Sequence, residues 1–104
     1  MIIEWQRVRV APELVARFLA ADAETWTPVL AVQAGFAGKE VWTRPEAPGE
    51  VILVIRWESR DAWQAVPDDL QAEVDARCRR AVAGDYEVEP AVVFDVGPAA
   101  PPMP

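Results

Sequence analysis

Residues 51–57 read VILVIRW, five consecutive aliphatic residues closed by an arginine and a tryptophan. A short, branched, uninterrupted run of this kind predicts a strand, and one whose apolar side chains occupy odd and even positions alike is apolar on both faces. In a small antiparallel sheet, helices cover one side and water meets the other, which shows as alternation. This strand does not alternate. Each of its faces therefore needs a cover, and the simplest cover for the face that helices leave open is the same face of a second copy. The expectation is a homodimer.

The rest of the chain supplies the elements. Residues 2–10 alternate and are rich in branched side chains, predicting the first strand. Pro12 and Glu13 open an amphipathic helix on which Leu14, Phe18, Ala21, Trp26 and Val29 recur on one side, and Pro28 predicts a kink or break near Thr27. Gly35 ends it. FAGKEVWTR predicts a second strand, and the PEAPGE loop joins it to the third as an antiparallel hairpin. Ser59 caps a short helix holding Trp63. A longer helix from Pro67 sets Leu70, Val74, Cys78 and Val82 on one stripe and stops at Gly84. Residues 86–96 predict a fourth strand, with Pro90 marking a bulge or an edge position.

The order β-α-β-β-α-β gives an α+β, ferredoxin-like fold: a four-stranded antiparallel sheet with both helices on one face. Two such sheets packed face to face make a dimeric α+β barrel. The domain is expected to span 1–96, and 97–104, GPAAPPMP, reads as a Pro-rich C-terminal tail.

Composition narrows the function. The chain has 104 residues, 52% of them hydrophobic, and five are Trp. A core of this size has little room for so many large rings, so some should line a pocket or an interface. The formal charge of −7, with basic residues scattered apart from Arg79-Arg80, argues against nucleic acid or an anionic membrane surface as partner. The N-terminus lacks the pattern of a signal peptide and no apolar run is long enough to span a bilayer, so a cytoplasmic location is expected. A single cysteine excludes an intrachain disulfide. The absence of histidine excludes imidazole metal sites, His-dependent nucleophilic triads and a His-ligated haem. No P-loop or dinucleotide-binding glycine motif occurs. No metal and no cofactor is expected.

AGFAGKEVW, residues 34–42, is similar to the second-strand signature of the antibiotic-biosynthesis-monooxygenase-like domains of the dimeric α+β-barrel superfamily. VIRWESRDAW, residues 54–63, is similar to their third strand running into a short helix. The resemblance covers 2–96. IEWQRVRV, DAETWTP, GKEVW and VILVIRW together resemble a small bacterial family of unassigned function within that superfamily. The fold and the homodimer are implied directly. For activity the resemblance implies a range: oxygenases, haem-degrading enzymes, isomerases and proteins without known activity.

The haem-degrading members use an Asn on strand one, a Trp ending strand three and a His on the second helix. Trp57 stands at the Trp position, but the Asn position falls near Trp5 or Gln6 and no histidine exists. The cofactor-free oxygenases hold a polycyclic phenol between sheet and helices and help it lose a proton, so that its anion reacts directly with oxygen. Such a site needs aromatic walls and a donor or cation. The resemblance thus implies a cofactor-independent monooxygenase-like enzyme for an aromatic or quinol-type small molecule, in a Trp-lined cleft between sheet and helices. The alternative is a non-catalytic dimeric small-molecule-binding or interaction domain; an isomerase or lactone-processing enzyme ranks behind both.

Candidate residues follow. Trp57, Trp5 on the neighbouring strand and Trp26 on the covering helix compose an aromatic pocket, or else fill core and interface. Arg56 and Glu40 share a face of the hairpin, with Trp42 two residues on. They form either a structural ion pair or an anion-holding guanidinium with its orienting carboxylate or proton acceptor. Asp22, one turn before Trp26, is a base if buried and a helix-margin residue if not. Arg7, alternating with Val8, lines the sheet face of Trp5 or meets solvent. The catalytic candidates are thus Trp57, Arg56, Glu40 and Asp22, and the substrate-binding candidates are Trp5, Trp26, Trp42 and Arg7. Tyr86 and Cys78 read as structural.

Overall fold

The structure is a computed structural model that describes residues 1–98. Of the expected tail, 97–104, residues 99–104 lie outside the described residues. Among the described residues five strands and four α-helices, with a 3-10 turn at Pro12–Leu14 ahead of the first helix, follow the expected order: β1 (Ile2–Val10), α1 (Val15–Glu24), α2 (Trp26–Ala31), β2 (Phe36–Trp42), β3 (Glu50–Trp57), α3 (Arg60–Gln64), α4 (Asp68–Val82), β4 (Tyr86–Val88) and β5 (Val92–Asp95). The sheet runs β2-β3-β1-β4, with β5 also on β1, and the pairings are antiparallel. This is the ferredoxin-like order.

Three local details differ from the sequence reading, each for a physical reason. The long first helix breaks at Thr25 rather than Thr27. A proline ring collides with the carbonyl four residues before it, which for Pro28 is Glu24, so the chain yields there. Thr25 Oγ1 donates to the Ala21 carbonyl at 2.6 Å, and Pro28 sits in the first turn of α2, where a missing N–H leaves no bond unmade. At the end of α4 the left-handed residue is Ala83 (φ 54°), not Gly84. Gly84 packs on Leu14, just ahead of α1: a Cβ there would lie 2.6 Å from Leu14 Cδ1 and require that side chain to shift. The last strand is broken, not merely bulged. Val88 pairs with Val8 and Val92 with Trp5, so three residues around Pro90 face two on β1.

Register decides the faces. On β1, Ile2, Glu4, Gln6, Val8 and Val10 lie on the side of Trp57, Ile55, Leu53 and Val51 of β3, beneath the helices. Ile3, Trp5, Arg7 and Arg9 lie with Arg56, Val54, Ile52 and Glu50 on the open side. On β2 an irregularity between Phe36 and Gly38, where Gly38 takes φ 145°, reverses the parity. Phe36 and Lys39 both turn inward, and Glu40 and Trp42 turn out.

The helix-covered core forms two clusters. One gathers Val8, Val10, Phe18, Val51, Leu53, Cys78, Val82 and Tyr86. The other gathers Ile2, Leu30, Ile55, Trp57 and Val66, and Trp26 packs against both. The open face also buries apolar groups: Val54 and Ile52 are covered by their neighbours, while Trp42, Val92 and Phe94 stand exposed. Among the described residues no helix is long and apolar enough to cross a membrane.

Candidate functional site

Between sheet and helices lies a cleft that reaches the surface at Gln71, Ala72 and Val88. A cavity of about 340 Å³ lies between sheet and helices, walled by Trp26, Leu30, Leu53, Ile55, Trp57 and Trp63 and reaching Gln71, Asp75 and Val88. Interiors pack to nearly crystalline density, so a void of this size in a small domain gives up contacts that a filled core would make. Its volume falls within the range of about 300–1,000 Å³ found for small-molecule sites.

β1 sends two polar side chains into this apolar space, Glu4 and Gln6. They are two residues apart on one strand and so share a face, about 6.7 Å from each other along it. Glu4 accepts a hydrogen bond from Trp57 Nε1 at 3.1 Å. Burial pushes the Glu4 carboxyl above its ordinary value of 4.5; the indole N–H groups of Trp57 and Trp63, and the charge of Lys39, pull the other way without cancelling it. Trp57 is fully buried, its ring held edge-on by Phe36 at 5.9 Å. The result is a half-buried carboxylate fixed on one side by an indole, among aromatic side chains. A carboxylate so placed is a proton acceptor stronger than one in water.

Beside the cavity lies a buried ion pair. Lys39 Nζ contacts Asp22 Oδ2 at 2.7 Å and Thr27 Oγ1 at 2.9 Å, both charged side chains being almost wholly out of water. It ties α1 and α2 to β2.

The residues singled out from sequence separate. Trp57 and Trp26 line the cavity. Asp22 is buried rather than at a wet helix margin, and one of its oxygens is committed to Lys39. Trp5, Trp42, Arg7, Arg56 and Glu40 lie on the other face of the sheet, because strand side chains alternate and Trp57 pairs with Ile2, an even position. Trp5 therefore does not share a wall with Trp57. Its ring instead lies 5.3 Å from the Arg7 guanidinium, and Arg7 reaches Glu50 at 3.2 Å and Glu89 at 3.4 Å. Arg56 meets Glu40 at 3.2 Å, an ion pair on the open face with Arg56 half-buried and Glu40 exposed. Glu4, Gln6, Trp63 and Lys39 were absent from the sequence candidates. Parity was the available signal: Val8 and Val10 mark the even positions of β1 as inward, and Glu4 and Gln6 share them.

Tyr86 lines the cavity and lies edge-on to Phe18 at 5.1 Å, with the Arg79 guanidinium 4.3 Å from its ring. Burial raises its hydroxyl far above the usual value, helped by the neighbouring Cys78 thiol. The hydroxyl makes no hydrogen bond, the thiol being a weak partner, so packing surrounds it. No cluster of three or more His, Cys, Asp or Glu suited to a metal occurs among the described residues.

Residues 1–68 match the family model for antibiotic biosynthesis monooxygenase. Among solved structures, SnoaB of Streptomyces nogalater, a cofactor-independent oxygenase, superposes with a TM-score of 0.71 at 18% identity over 96% of each chain. The ActVA-Orf6 monooxygenase of Streptomyces coelicolor, in complex with Nanaomycin D, gives a TM-score of 0.74 at 15% identity over 98% of this chain and 92% of that one. A Bordetella bronchiseptica protein provisionally assigned as an antibiotic biosynthesis monooxygenase is 26% identical over 95% of this chain and 97% of its own, with a TM-score of 0.67. No curated protein matches the sequence.

Proposed function

The chain belongs to the antibiotic biosynthesis monooxygenase family, and on that premise we propose that it is a cofactor-independent oxygenase for an anthrone- or quinol-type aromatic held between sheet and helices. Glu4 carries the reading. It is a cavity-lining carboxylate, poorly solvated, with a raised proton affinity and an indole fixing its orientation. The cofactor-independent oxygenase among its structural neighbours supports the same chemistry.

In this mechanism Glu4 removes a proton from an activated ring CH₂ or from a ring hydroxyl. The aromatic anion, its charge spread over the rings, transfers an electron to O₂, and the two radicals combine into a carbon–oxygen bond. The O–O bond then breaks and the proton held on Glu4 leaves in water. For an anthrone the balance is CH₂ + O₂ → C=O + H₂O, the carbon losing the four electrons that oxygen gains. Trp26, Trp57 and Trp63 flatten the ligand and exclude water. The Gln6 amide, two residues from the base, donates to the oxygen on which negative charge builds.

A homodimer belongs to the same reading. Trp42, Val92 and Phe94 are exposed around the apolar centre of the open face, which a second copy's sheet would cover. Light scattering across dilution tests it.

Oxygen uptake with an anthrone tests the chemistry. Glu4→Gln keeps shape and hydrogen bond while removing the base, so turnover falls by about 10²–10⁴-fold with binding retained. The native rate rises with pH along a limb lying above the ordinary carboxylate value of 4.5, because only the ionised carboxylate accepts a proton. An undiminished Glu4→Gln rate overturns the assignment of the base. Saturable binding without oxygen uptake across anthrones, phenols and hydroquinones replaces the enzyme with a binding domain.

A further inference from the structure

The cavity contains no cationic wall. Its charged lining residues are Glu4 and Asp75, its amides Gln6 and Gln71, and no lysine or arginine faces it among the described residues. Two cations stand nearby, and both are engaged. Lys39 is held by Asp22 and Thr27. Arg79 is bound to Asp75 at 3.0 Å and to the Tyr86 carbonyl at 3.1 Å. With Asp75 answered by Arg79, the charge without a partner in contact is that of Glu4, whose bond from Trp57 is to a neutral donor.

A second anion entering this space would lose its hydration, meet no cation and lie within several ångströms of a carboxylate. An uncharged phenol meets none of these penalties. A protonated amine gains twice, from the carboxylate and from the π-faces of the indoles.

We propose that the cavity selects its ligand by charge: it takes aromatic rings that are uncharged or positively charged and excludes those that carry a carboxylate, sulfate or phosphate into it. The inference rests on the cavity being the ligand site proposed above, but not on oxygen chemistry. It names the substrate class as the unacidified aromatic, so any acid group on a true substrate is masked as ester, lactone or amide, or is absent.

The test is anaerobic calorimetric titration at pH 7.5 with three ligands of one ring size: 2-naphthol, 2-naphthoate and 2-naphthylmethylammonium. A like charge about 7 Å away at an effective dielectric near 20 sets the expected discrimination, on the order of 30-fold or more in favour of naphthol over naphthoate. The ammonium ligand binds at least as tightly as naphthol. Glu4→Gln narrows the gap, raising naphthoate affinity by about tenfold or more while naphthol changes by less than about threefold; its near-ultraviolet circular dichroism confirms the fold. Equal native affinities for naphthol and naphthoate overturn the proposal, as does a gap that Glu4→Gln leaves as wide as in the native protein. If none of the three binds, the cavity is not an aromatic ligand site and the proposal falls with it. Charge selection without any oxygen uptake leaves this inference standing and removes only the proposed chemistry.

Discussion

Lys39 and Glu40 are consecutive residues of β2, each has a partner of opposite charge, and their surroundings differ. The Lys39–Asp22 pair lies under the helices at 2.7 Å with side chains 5% and 2% exposed; the Glu40–Arg56 pair lies on the open face at 3.2 Å with side chains 51% and 36% exposed. The first has almost no water to fall back on. The second exchanges a contact for hydration at little expense. One step along a strand therefore separates a pair that is costly to break on one side only from one whose loss barely registers, and the same step separates Glu4, inside the cavity, from Trp5 outside it.

The largest expected effect is on the inner pair. Lys39→Met leaves Asp22 without a counter-charge in a dry setting and lowers unfolding stability by about 3–5 kcal/mol in urea titrations. Replacing both partners with apolar residues recovers much of that loss. A Lys39→Met penalty no larger than that of Glu40→Ala would erase the distinction between the faces. Next comes Trp57→Phe, which removes the indole N–H from Glu4 and leaves space in the core, lowering stability by about 2 kcal/mol. The same change to Trp42 should be nearly silent in a monomer.

Glu4 supplies a subtler contrast. Its folded proton affinity is raised, so between its unfolded and folded values the native state holds more protons than the unfolded chain. The stability this adds is fully present below the unfolded value near 4.5 and is lost as pH rises through the folded one. Glu4→Gln should therefore raise the thermal midpoint at neutral pH, with the difference shrinking on acidification. No change in the midpoint would mean that Glu4 is solvated. The smallest effect is Glu40→Ala, at most about 1 kcal/mol. It should grow with protein concentration if copies cover the open face, and stay flat if they do not.

The architecture was legible because periodicity and turn residues carry it: the strand order and the hairpin follow from alternation, Pro and Gly. The site was half legible. Trp57 and Trp26 show their bulk, but which face a residue takes depends on parity, and parity was hidden in two places. VILVIRW is apolar at every aliphatic position and gives no inside or outside. In β2 the irregularity at Gly38 reverses the count, so Lys39 turns in where uninterrupted alternation from Phe36 would turn it out. Glu4 was passed over because nothing local marks it: its neighbours are Ile3 and Trp5, and the side chains that reveal it, Trp57 and Trp63, come from the other half of the chain.

The gap in the last strand has a consequence for how molecules of this kind can meet. A straight border strand offers a ladder of unused amides on which another chain can grow, the first step toward a fibril. Here the rungs are interrupted around Pro90, and Glu87 and Glu89 add negative charge beside the interruption. The two short edge pieces, β4 and β5, thus offer a poorer template for added strands than one continuous strand would, which favours a neighbour that stacks flat against the sheet.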